Sequence, residues 1–298
     1  MTVDRDLGVW GGPRQRLLLV DKIIIGYAAL VTVVALTRLD VYAGNWGVAL
    51  GHLMMIPLPW LVRRSGLGKV GRVLGDIYPL FLLVPLYGSL DVLQGPHSLV
   101  VNDAIVIGWE RAIFGGLPSE EWWRRFPYPW LSTIMHGAYW GYYLIVPTPV
   151  LFFAFRGERA AARRTILLEV GTFLFCYIWF IFFPVAGPYQ VFPWPTGEVV
   201  ANPMAKLVYA TLAAGNSYGA AFPSSHVAAT TAAVIAAWLG NRTLGAFLVV
   251  PALLLAVATV YCHMHYAIDS SIGLLIGILI PILLLRWDHG RSAELGTV

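Results

Sequence analysis

The chain has 298 residues, 58% of them hydrophobic and only 12% charged, with a mean hydropathy of +0.70. That composition excludes a single soluble domain and a disordered scaffold. The formal net charge of +4 is small for this length and gives no basis for a nucleic-acid partner.

The apolar residues gather in runs of roughly 17 to 25, the length that crosses about 30 Å of hydrocarbon, which also excludes the short alternating strands of a β-barrel. The first run, 17 to 37, contains Asp21 and Lys22 and is longer than a signal-peptide core, so it reads as a retained anchor. Further spans are predicted at 46 to 62 and 74 to 93, the latter bordered by Asp76 and Asp91. Residues 94 to 130 mix apolar stretches with Asp103 and Glu110, which share a face if helical and then read as a solvated acidic edge, with a substrate head-group or cation contact as the alternative. The segment EEWWRRFPYPW (120 to 130) has the aromatic and charged mixture of an interfacial helix. Spans follow at 131 to 155 and 165 to 185, then a Pro-rich cap at 186 to 223, then spans at 224 to 240, 244 to 261 and 268 to 286.

The reading is all-α, a polytopic transmembrane bundle of about eight spans with an outer interfacial helix and cap loop, forming one integral membrane domain over 1 to 298. Fourteen of the twenty Lys and Arg residues fall on the side of the termini, while Arg38, Arg111, Arg124, Arg125 and Lys206 fall on the other and Lys22 lies within the first span. The positive-inside rule therefore places both termini in the cytoplasm. Alanines and threonines all round HVAATTAAVIAA (226 to 237) mark a central helix, and Gly273 with Gly277 is a small-xxx-small pair. Prolines inside spans, Pro147 among them, predict kinks. Cys176 and Cys262 are far apart and imply no disulfide framework.

Two outer-face groups carry chemistry. In GAAFPSSHVAA (219 to 229), Pro223 suits a helix start, and Ser224, Ser225 and His226 surround free N–H groups that favour an anion. The plain alternative is an ordinary cap. In YCHMHYAIDSSIG (261 to 273), His265 and Asp269 are four apart, so a carboxylate can orient the ring through Nδ1 and leave Nε2 as a nucleophile or base. Here the alternative is a structural His–Asp pair. One helical hairpin separates the groups and can bring them face to face. His52 and His136 are intramembrane ionisable groups, read as packing residues with cavity roles as the alternative. A zinc site from His226, His263, His265 and Asp269 is a minor alternative.

FPSSH followed by HYAID resembles the second and third motifs of the type 2 phosphatidic acid phosphatase superfamily, Pro-Ser-Gly-His and Ser-Arg-x5-His-x3-Asp, over about residues 165 to 286. The resemblance implies a catalytic core there, with residues 1 to 130 adding spans and the interfacial segment. It implies that His265 attacks phosphorus to form a phosphohistidine, Asp269 orients it and His226 protonates the leaving oxygen. Ser224 and Ser225 would bind phosphoryl oxygens. The motif's Ser-Arg is replaced by Ala258 and Thr259, and Lys-x6-Arg-Pro by FFPVAGPYQ (182 to 190). These departures are closer to the inositol phosphorylceramide synthase and sphingomyelin synthase branch.

A site short of cations suits a phosphodiester, with one negative charge, better than a monoester with nearly two. The expected activity is therefore transfer from a lipid phosphate ester to a hydroxyl acceptor, at a site on the extracytoplasmic or lumenal face. Hydrolysis of a lipid phosphate monoester is the alternative, and a non-catalytic lipid transporter or binding protein is the second. Arg111, Arg124, Arg125 and Lys206 are expected to supply substrate contacts, with Tyr189 and Gln190 shaping the cap. No metal and no cofactor is implied.

Overall fold

The computed structural model describes residues 17–64, 68–95 and 101–295. Among them the protein is 80% helical with no strands. In chain order the helices are α1 (Leu19–Thr37), α2 (Asn45–Met55), α3 (Leu58–Arg64), α4 (Gly68–Gln94), α5 (Asp103–Phe114) and α6 (Pro118–Arg125). Next come α7 (Pro129–Trp140), α8 (Tyr142–Ile145), α9 (Pro147–Phe155), α10 (Arg159–Phe182) and the short α11 (Pro188–Val191) and α12 (Glu198–Ala201). The last four are α13 (Pro203–Ala214), α14 (Ser225–Gly240), α15 (Arg242–Tyr261) and α16 (Ala267–Leu295).

Five helices are long and apolar enough to cross a membrane: α1, α10, α15, Val73–Gln94 of α4 and Ala267–Asp288 of α16. A bent pair, α7 and α8 followed by α9, makes a sixth if it is one span; it bends by 40° where Pro147 has no N–H to continue the ladder. By length and composition, five to six of the expected eight meet that criterion. The segment at 224 to 240 is an apolar helix of 16 residues, only about 24 Å long at 1.5 Å per residue. The expected second span is two short helices, interrupted at Ile56 and Pro57, and neither meets the length of a span. Pro79, Pro85, Pro251 and Pro281, by contrast, lie inside helices that continue through them. The basic residues Arg5, Arg14 and Arg16 used to orient the chain lie outside the described residues.

α14 is central, as its small residues foretell. Ala228, Ala229, Ala232, Ala233, Ala236 and Ala237 are all completely buried against α10, α15 and α16. A Cβ on Gly273 would meet the Ser224 carbonyl oxygen at 2.5 Å, and one on Gly277 would meet that of Ala228 at 2.5 Å. The two glycines thus let α16 lie directly on α14.

Where α1, α3, α4 and α10 meet at one end of the bundle, a buried ion cluster joins them. Asp21 accepts two bonds from Arg63 at 2.9 Å each and one from the Tyr78 hydroxyl at 2.6 Å. Asp76 faces Arg63 at 3.5 Å, Arg159 at 2.8 Å and Arg163 at 2.7 Å. The chemistry-bearing motifs lie at the opposite ends of these helices.

Candidate active site

Ser224 caps α14. Its Oγ accepts from the Val227 N–H at 3.4 Å, while its own N–H donates to the Asp269 carbonyl at 3.0 Å. The starts of α14 and α16 are thereby bolted together. Ser224 is fully buried; Ser225 and His226 reach the cavity.

The loop from α15 to α16 turns sharply at His263, a non-glycine residue with φ of 64°. The amides of Met264 and His265 both donate to the Thr259 carbonyl at 3.0 Å. The Thr259 hydroxyl pairs with that of Ser270 at 2.6 Å. The residue standing where the resembled motif has arginine is therefore a staple of this loop.

His265 Nδ1 is 2.9 Å from the Ala221 carbonyl and 3.5 Å from Asp269 Oδ2. Because a carbonyl can only accept, the proton sits on Nδ1 and Nε2 carries the lone pair. Ala221 is thus the nearer orienting acceptor, while Asp269 Oδ2 takes the Tyr266 N–H at 2.8 Å and lies beside the ring as a second acceptor. His265 Nε2 stands 3.4 Å from His226 Nδ1, and His226 Nε2 stands 3.5 Å from the Tyr139 hydroxyl. Burial, and secondarily His226, pushes the His265 imidazole down to about 3, so it is neutral at physiological pH.

The acidic residues of α5 are not a solvated edge. Asp103 and Glu110 point inward and are 5% and 0% exposed. Glu110 accepts the N–H groups of Ala267 at 2.9 Å and Ile268 at 2.8 Å, capping α16 just before Asp269. Asp103 accepts the N–H groups of Ala186 at 2.8 Å and Gly187 at 2.9 Å and the Tyr266 hydroxyl at 3.0 Å. One helix face thereby holds both the PVAGP turn and the loop that carries His265. Burial pushes the Glu110 carboxyl up, and its two amide donors oppose that.

Ser225, His226 and His265 open on a cavity of about 720 Å³. Its deep part is apolar, with Leu80, Leu83, Val84, Val146 and Phe173; its upper part holds Asp91, Asn216 and Ser217. Leu80 to Asp91 spans eleven residues of α4, about 16 Å along the helix. Tyrosines 87, 139, 142, 143, 177 and 189 form much of the wall.

The expected substrate contacts divide. Tyr189 lines the cavity and donates to Asn216 Oδ1 at 2.7 Å, whereas Gln190 is exposed and outside it. Lys206, Arg111, Arg124 and Arg125 are exposed and none lines the cavity. Arg124 is engaged at the surface, pairing with Glu120 at 2.7 Å and lying 4.3 Å over the Trp123 ring. His52 and His136 bond their own helices, to the carbonyls of Val48 and Ser132 at 2.9 Å, away from the cavity. Among the described residues no group of three or more His, Cys, Asp or Glu side chains is arranged to hold a metal ion.

The sequence reading missed the tyrosine wall, although YWGYY (139 to 143) lies within an expected span, where hydroxyls need a reason. It also missed Glu169, fully buried in α10 with neither carboxylate oxygen hydrogen-bonded among the described residues. Nothing in the structure explains that group.

Two histidines, one of them beside a buried carboxylate, open together on a cavity within a bundle of apolar helices. The family model of the PAP2 superfamily matches residues 104–283, more than half of the chain, and the protein belongs to that superfamily. The match begins at residue 104, so it takes in α5 and α6 as well as the histidine motifs. Neither the comparison with curated proteins nor that with solved structures finds a match. Membership points to lipid phosphatase or phosphotransferase chemistry in an integral membrane protein.

Proposed function

We propose that the protein transfers a phospho-head group from a phosphodiester lipid to a hydroxyl acceptor through a phosphohistidine on His265. The observation that carries this reading is the neutral His265, whose unprotonated Nε2 faces His226 Nδ1 at 3.4 Å, in a cavity lined by no Lys or Arg. A monoester with nearly two charges would find no cationic clamp there, whereas a diester brings one charge to the helix α14 N-terminus and Ser225.

In the first step the Nε2 lone pair forms a bond to phosphorus as the ester P–O bond breaks. His226, which must take up a proton together with the anionic substrate, gives that proton to the leaving oxygen. The positive charge developing on the His265 ring is stabilised at Nδ1 by the Ala221 carbonyl and the Asp269 carboxylate. In the second step His226 removes a proton from the acceptor hydroxyl, whose oxygen attacks phosphorus and frees His265. The chain of the lipid occupies the apolar depth of the cavity. The extracytoplasmic or lumenal side assigned to the site rests on the distribution of basic residues.

The test is to give the purified protein a labelled phosphatidate and a labelled phosphodiester lipid, with and without a hydroxyl acceptor, and to separate free phosphate from transferred head group. Acceptor-dependent transfer is the expected result. Phosphate release from the monoester alone would overturn it in favour of a lipid phosphatase. Binding without turnover of either would leave a transporter or lipid-binding protein.

A further inference from the structure

The loop that carries His265 makes its sharpest turn at a residue other than glycine. His263, with φ of 64°, sits in the left-handed region that a residue with a Cβ seldom occupies unless its surroundings hold it there. Helix α6 does the holding. The His263 side chain is 1% exposed, and its Nδ1 lies 3.0 Å from the Ser119 carbonyl and 3.1 Å from Glu120 Oε1. Both partners are acceptors, so Nδ1 carries the proton and donates whether the ring is neutral or cationic. Glu120 is itself fixed by Arg124 at 2.7 Å. At the far end of α6, the Phe126 carbonyl accepts the Tyr261 hydroxyl at 2.8 Å. Two side chains flanking Cys262 thus grip both ends of one surface helix.

His263 is not part of the cavity wall, although Met264 and His265, the next two residues, are. So short a link transmits a displacement rather than absorbing it. The amides of Met264 and His265 hang from the Thr259 carbonyl, and His265 Nδ1 meets Ala221 at 2.9 Å. The hold on α6 comes from 144 residues away through one imidazole. We infer that His263 is a positioning residue: clamped to the first turn of α6, it sets the loop so that His265 Nδ1 meets Ala221 and Nε2 faces His226. This deepens the proposed function and rests on its reading of His265 as the nucleophile. A turn that needed only a permissive backbone would be served by glycine, which has no donor to give α6.

The test compares His263→Gly with His263→Asn in the full chain in detergent. Glycine takes the turn freely and lacks the donor; asparagine also tolerates it and carries an amide N–H close to where Nδ1 stands. Nitrogen NMR of histidine-labelled protein, with His265 assigned by its loss in His265→Ala, reads the tautomer of that ring. The wild type and His263→Asn are expected to show one tautomer, protonated at Nδ1, and His263→Gly a mixture. His263→Gly is expected to lower kcat about tenfold or more with KM within about twofold, and His263→Asn to keep most of kcat. An unchanged tautomer in His263→Gly, equal losses in the two variants, or an effect on KM alone would overturn the inference. A tautomer lost in His263→Gly and kept in His263→Asn, with no lipid ester turned over by the wild type, removes the proposed function and keeps the positioning role. Lipid ester transfer with tautomer and kcat unaltered in His263→Gly does the reverse.

Discussion

His265 is held by two acceptors of different kinds, and their distances decide how much each matters. The Ala221 carbonyl at 2.9 Å fixes the tautomer, and the Asp269 carboxylate at 3.5 Å adds charge. His265→Ala, which removes the nucleophile, is expected to lower turnover by about 10⁴-fold or more. Asp269→Asn leaves Ala221 in place, so a loss of about 10 to 100-fold is expected, well short of the about 10⁴-fold seen where a lone carboxylate sets the tautomer. A larger loss would assign the tautomer to Asp269. Because burial holds His265 at about 3, it stays unprotonated as pH falls through the ordinary imidazole range. The pH profile of kcat/KM is therefore expected to show no acid limb from His265 between pH 7 and 5, and exchange for a variant with a less buried ring should bring one in. The i,i+4 spacing of His265 and Asp269 was readable in the sequence because it is local. The carbonyl partner was not, since Ala221 lies 44 residues away and any residue has a carbonyl.

At the scale of elements, the site depends on where α16 begins and how closely it approaches α14. Glu110 caps the first turn of α16 with both oxygens. Glu110→Gln keeps one acceptor and loses the charge, and is expected to destabilise the protein by about 1 to 2 kcal/mol, read as thermal unfolding in detergent. Turnover should fall further than stability alone explains, because Asp269 sits on the turn that Glu110 holds. Gly273 leaves no room for a side chain against the Ser224 carbonyl. Gly273→Val is expected to cost about 1 to 3 kcal/mol by forcing α16 from α14. A valine variant with wild-type stability and turnover would show that the helices can part without harm. The glycine pair was legible in the sequence as a packing signal. The inward face of α5 was not: spacing placed Asp103 and Glu110 on one face, and only the fold decided which way it points.

The whole molecule separates two polar regions by the length of its helices. At one end, Asp21 and Arg63 form a bidentate pair, with side chains 0% and 4% exposed. Breaking a buried pair leaves an uncompensated charge, so Arg63→Leu is expected to destabilise by about 3 to 5 kcal/mol, with the double variant Asp21→Leu, Arg63→Leu recovering much of it. No recovery would mean that Asp76 and Tyr78, not the pair itself, hold Arg63 in place. At the other end stands the cavity on which His226 and His265 open, whose walls come from α4, α7, α8, α10, α11, α13 and α14.

The sequence by itself determined that this is a helical membrane protein and which two motifs carry its histidines. Hydropathy, helix starts and i,i+4 spacing are properties of neighbouring residues, and neighbours can be read in a line. The tertiary structure alone showed where apolar runs break into short helices, as at Ile56 and Pro57, because a break depends on how the chain packs. It alone brought Asp103 to Tyr266 and Glu110 to Ala267, 163 and 157 residues apart. It alone left Arg111, Arg124, Arg125 and Lys206 outside the cavity, because the solvation of a charge depends on the whole packed surface around it.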